Sequence, residues 1–222
     1  MRKWWRGGCA LLVAAALLAL GAPPLAAQAD PSPEVRALRA AHVCGQLSAL
    51  ERGYLLLNRG ELSAARAALL EAVSGLEPSR ATEVIQLASL LGRLSGAGAA
   101  AVARAAVAAH RGQAHEAALT LERAAADLPG TERAPVLAQA ARLADQVAAH
   151  ADAARMRTTL VLEHPDAAEA AEVTLELARW HARTRSGVAT AVRLLEELII
   201  RTPSNALVPD ARRELQRLQG IS

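Results

Sequence analysis

Six histidines (His42, His110, His115, His150, His164 and His181), two cysteines and 22 carboxylates are the side chains that could do chemistry in this sequence. The densest grouping is HRGQAHE, residues 110–116, where His110, His115 and Glu116 straddle Gly112. That run is neither HExxH nor a pair of imidazoles four apart on one helical face, the spacing a zinc ion requires. His42 and Cys44 are two apart, which puts them on different sides of a helix. These histidines read as turn and surface residues. Ser95-Gly96-Ala97-Gly98 lacks the lysine of a phosphate loop, and no G-x-S-x-G elbow occurs. Glu176 near Trp180 could supply an acid and a sugar platform, but no second carboxylate stands at a defined separation from it. The residue types therefore predict no catalytic centre, no metal and no cofactor. Binding is the chemistry left to look for.

The elements that would present a binding surface follow from composition. The chain has 222 residues, 52% of them hydrophobic, and no Phe, so its core must be built from Leu, Ala and Val. That favours close-packed helices. Ser32-Pro33-Glu34 reads as a helix start, with apolar residues at helical spacing from there to about Asn58. Further helices are expected at about 61–76, 80–94, 98–111, 113–127, 132–147, 149–163, 167–184, 188–201 and 206–218, and no segment reads as a strand. The breaks between them are short, which sets neighbouring helices antiparallel. Asp166 and Glu169 are spaced as a capping pair for the helix after Pro165. The helix around Ala99–Ala109 is alanine on nearly every face, so it is either loosely held or tightly packed against another chain.

Residues 1–29 read as a secretory signal peptide. Arg2, Lys3 and Arg6 form a basic start, Cys9 to Leu20 an apolar stretch, and Ala27-Gln28-Ala29 a small-residue site, with cleavage expected between Ala29 and Asp30. Residues 30–222 then form one helical domain, exported to the periplasm or beyond, with no stable membrane anchor. Removing three basic and no acidic residues leaves 22 basic against 22 acidic. Without a basic excess, neither nucleic acid nor anionic lipid is an expected ligand. Cys44 would be the only remaining cysteine, so stability must come from packing and not from disulfides.

The helices carry a repeat. Pro78, Pro129, Pro165 and Pro203 follow one another at intervals of 51, 36 and 38 residues. From Gly112, small or apolar residues recur at Ala117, Leu121 and Ala124, and Pro129 closes the unit. A second copy runs Gly60, Ala65, Leu69 and Ala72, with Gly53 in the small slot of its first helix. A third runs Ala148, Ala153, Leu160 and Pro165, and a fourth Ser186, Ala191, Leu195, Leu198 and Pro203. This pattern resembles the tetratricopeptide repeat over most of residues 46–218, and the tail from Pro203, PSNALVPDARRELQRL, resembles the ends of periplasmic members of that family. Arg52, Arg104 and Arg157 stand where the family has apolar residues, and Arg179 where it has a small one.

The resemblance implies an all-α fold of antiparallel helix pairs stacked as a short tetratricopeptide-like α-solenoid. It also implies a groove lined by the first helix of each pair. Carried over slot by slot, the groove residues are Tyr54, Asn58, His110, Arg142, Asp145, Gln146, Glu176, Trp180 and Arg183. Two placements are open for the two rings: anchors in the groove, or packing between helices. The family's terminal-carboxylate clamp is not reproduced. The expected function is a non-catalytic scaffold that binds an envelope protein or peptide. The alternatives are a helical enzyme or binding module for cell-wall glycans, and self-assembly into a homo-oligomer.

Overall fold

The computed structural model describes residues 47–220, and the expected signal peptide and the helix start at Ser32 lie outside them. Ten α-helices and two short 3-10 turns account for the described residues, with no strand among them: α1 (Ala49–Arg59), α2 (Leu62–Ala72), α3 (Pro78–Arg93), α4 (Gly96–His110), α5 (Ala114–Ala125), α6 (Gly130–Gln146), α7 (His150–Glu163), α8 (Ala170–His181), α9 (Val188–Arg201) and α10 (Val208–Gln219). The fold is all-α and solenoid-like.

Two helix starts differ from the sequence expectation. The run read as unbroken from Pro33 to Asn58 is interrupted, because a new helix opens at Ala49. Ser48 accepts from the Glu51 amide while the Glu51 side chain accepts from the Ser48 amide, a complete capping box. Asp166 and Glu169, in contrast, do not cap α8. Its N-terminus has no side-chain cap, Asp166 pairs with Arg201 at 3.0 Å, and Glu169 accepts from Arg93 at 2.8 Å. Long-range partners outcompete the local cap at both carboxylates.

Antiparallel pairs form from α1 with α2, α4 with α5, α6 with α7, and α8 with α9, and α10 closes the stack on α9. Helices α1, α4, α6 and α8 make one layer, in which α4 packs on both α1 and α6; α5, α7 and α9 make a second. Small slots allow the close approach. A Cβ on Gly53 would come within 2.8 Å of the Leu69 side chain, so only glycine fits between α1 and α2. The alanine-rich helix is not loose: α4 is the central helix, packed against α1, α3, α5 and α6, with Ala99, Val102, Ala103 and Val107 all buried. Alanine on every face lets four neighbours approach it at once.

Three of the four misplaced arginines have partners. Arg52 pairs with Glu71, Arg157 with Asp145, and Arg179 with Glu176. Arg104 is exposed at the rim of a cleft.

Candidate functional site

Helix α3 is the extra element behind the 51-residue proline interval, and its position decides what the first layer can bind. Its apolar stripe of Val84, Leu87, Leu90, Leu91 and Leu94 is buried in the same core cluster as α4 and α6. Each end is tied to a different part of the stack. At the start, Arg80 donates to the Tyr54 hydroxyl of α1 at 3.3 Å. At the finish, Arg93 donates to Glu169 at the threshold of α8, while Leu94 lines one cleft with Ala134 and Pro135 of α6. Thirteen residues of helix span roughly 20 Å, enough with two arginine side chains to cross from α1 to α8. Ala99, Val102 and Ala106 of α4 and Pro135 and Ala138 of α6 are also buried.

Five large aliphatic side chains at about 1.5–3 kcal/mol each give roughly 8–15 kcal/mol of burial for α3, as large as the whole stability of a typical domain. Even halved for a compact unfolded chain, that figure makes α3 a fixed part of the fold. It is not a lid.

The nine residues expected in the groove separate into groups. Tyr54 from the middle of α1 and Asn58 from its end gather with His110 at the C-terminal end of α4. Tyr54 is 7% exposed, so it takes the packed placement, with its ring stacked on His110 at 3.9 Å between centroids and 6° between planes. Burial raises the Tyr54 hydroxyl above its ordinary value. Burial also lowers the His110 imidazole, with the Arg80 guanidinium acting in the same sense. Asn58 is exposed and accepts from Arg111 at 3.4 Å.

In the middle of the layer, Arg142 is half-buried and donates to Glu172 of α8 at 3.4 Å and to Gln139 at 3.3 Å. Desolvation lowers its pKa, opposed by Glu172 and Glu169. Asp145 turns toward α7, where it accepts from Arg157 and lies 3.0 Å from His150 Nδ1. Gln146 is exposed.

At the far end, Trp180 is half-buried against the core formed by α8, α9 and α10, and meets the His181 ring edge-on at 4.7 Å. Glu176 accepts from Arg179 at 2.6 Å, and Arg183 is exposed. Arg213 with Asp210 and Arg217 with Glu214 add further pairs on the adjoining α10.

Arg80 and Arg93, which tie the two ends of α3 to Tyr54 and Glu169, are not singled out by the sequence, and Glu169 is expected there only as a cap. The long proline interval carried the signal for an extra helix but not for its place. Among the described residues no three His, Cys, Asp or Glu side chains gather as a metal-binding set, and no helix is long and apolar enough to cross a membrane. Compared with protein-family models, curated proteins and solved structures, the chain matches none.

Proposed function

We propose that the protein is an exported, non-catalytic scaffold of the tetratricopeptide type that binds an envelope protein or peptide. The binding surface is the part of the first layer beyond α3, from Arg142 and Gln146 on α6 to Glu176 and Trp180 on α8 and Arg183 just past its end. The observation that carries this reading is the fixed position of α3. Packed on α2 and α4, that helix reaches Tyr54 of α1 at one end and Glu169 before α8 at the other, and the side chains beyond it are open or half-open.

The charges there are mixed and largely paired, as Arg142–Glu172 and Arg179–Glu176. Exposed pairs of this kind contribute little affinity and much orientation, so the half-buried Trp180 is the energetic anchor. A partner segment with a small apolar side chain for Trp180, flanked by charges of both signs, suits the surface. Capture of envelope proteins on the immobilised chain tests this. Arg183→Ala together with Gln146→Ala should reduce retention of a specific partner at least tenfold without lowering the melting temperature. Unchanged retention would remove the surface from consideration.

A further inference from the structure

The stack is one helix short beside α4 and α5. Helix α5 packs along α6, and the pairs His115–Asp152 and Arg155–Glu122 fasten it to α7. Under that cover, Leu137, Ala140 and Ala144 of α6 and Met156 and Leu160 of α7 are all buried. The repeat spacing of 36, from Gly112 to Ala148, maps these onto Ala101, Arg104, Ala108, Thr120 and Ala124. In α4 and α5 those five line an open cleft of about 260 Å³, with Arg104 and Thr120 exposed. In a regular stack the preceding second-layer helix would lie there. That helix is α2, and it packs on α1 and α3 instead.

We propose that residues 33–44 of this chain fill the cleft as a helix antiparallel to α4. Direction, length and chemistry converge on this segment. Ser48 caps the start of α1, so a helix over residues 33–44 would be joined to it by only a few residues and would run antiparallel to it. Helix α1 is parallel to α4, because Asn58 near the end of α1 meets Arg111 at the end of α4, with Tyr54 of mid-α1 stacked on His110. The segment therefore opposes α4, as α5 opposes α6. From Pro33 to Cys44 it has twelve residues, the length of α5. Ala37, Ala41 and Cys44, with Leu38 beside them, fall at i, i+4 and i+7, a narrow stripe of small residues suited to a cleft floored by Ala105 and Ala117. In this direction Arg36 falls at the level of Glu116 on the cleft rim. Ser32 and Pro33 supply the helix start.

The arrangement fixes a register that a thiol can report. Cys44 would lie at the end of the cleft that holds Ala101 and Ala124, and far from Gln113 at the other end. In the full chain carrying Cys9→Ser, Cys44 is the sole thiol. Mild oxidation of that chain with Ala124→Cys added should give an intramolecular disulfide in most molecules, seen as a monomer resistant to thiol labelling. With Gln113→Cys in its place, bridging should fall at least tenfold. If Ala124→Cys loses its helical circular dichroism, Thr120→Cys, at an exposed position, replaces it. No intramolecular bridge from either position overturns the proposal. A bridge formed only between chains overturns it too, and assigns the cleft to a second copy.

Discussion

Replacing Leu90 with alanine is the sharpest probe of α3 as a fixed cover. Leu90 is 1% exposed in the core shared by α3, α4 and α6, whereas Ile85 on the same helix is 43% exposed. Truncating a fully buried leucine removes its transfer free energy and leaves a cavity, a combined cost of about 2–5 kcal/mol. The central helix touches four neighbours, so little collapse into that cavity is available, and about 3 kcal/mol is expected. For a domain of this size each kcal/mol shifts the melting temperature by roughly 2–4 °C, which gives a fall of about 6–12 °C. Ile85→Ala should cost at most about 1 kcal/mol, because nearly half of that residue already meets water and its truncation leaves no closed cavity. Thermal unfolding followed by circular dichroism, with urea titration to check that the m-value is unchanged, reads both variants. Equal melting temperatures for the two would refute the packing of α3 and reopen the layer beneath it.

Other expectations follow from single contacts. Gly98→Ala should change urea unfolding by less than about 1 kcal/mol: the new methyl would displace Glu132 Oε2, the free end of a flexible side chain bonded to Ser95, and the helix-propensity gain offsets that loss. Arg157, 7% exposed, holds Asp145; Arg157→Ala should cost roughly 2–3 kcal/mol, and the longer apolar Arg157→Met distinctly less in the same assay. The folded pKa of His110 lies below its unfolded value, so the unfolded chain binds more protons as pH falls through the ordinary histidine range. Stability should therefore drop on acidification from pH 7 toward 5, and His110→Gln should flatten part of that slope in melting curves taken across the range. An NMR titration placing the His110 midpoint above the ordinary value would reverse the sign and contradict the ring stacked on Tyr54 beside Arg80.

How much was legible varied with the range of the interaction. Helices bounded by Gly60, Pro78, Gly112 and Pro129 fall close to their expected places, because turn chemistry is local. Ser48 was missed as a cap although Glu51 stands three residues on, since apolar periodicity runs straight through it. Asp166 and Glu169 have the spacing of a cap, yet Arg201 and Arg93, distant in sequence, claim them. The stripe Val84, Leu87, Leu91 and Leu94 is plainly amphipathic, but nothing local states which surface it covers. Hence Tyr54 could be assigned a groove slot without any sign that α4 and Arg80 would enclose it. Arg157 and Arg52 look like errors of pattern until Asp145 and Glu71 are seen beside them. Arg104 breaks the pattern for a different reason, since the neighbour its slot expects is not α2.

The central claim is that a partner binds the first layer beyond α3. In-cell photo-crosslinking tests it most directly, with the photoreactive residue placed at Gln146 or Arg183, and at Arg66 and Ser89 on other faces as controls. Mass spectrometry of the adducts then identifies what was captured. One discrete envelope protein is expected from positions 146 and 183 and none from the controls. Capture of the same protein equally from all four positions, or only from the controls, would contradict it.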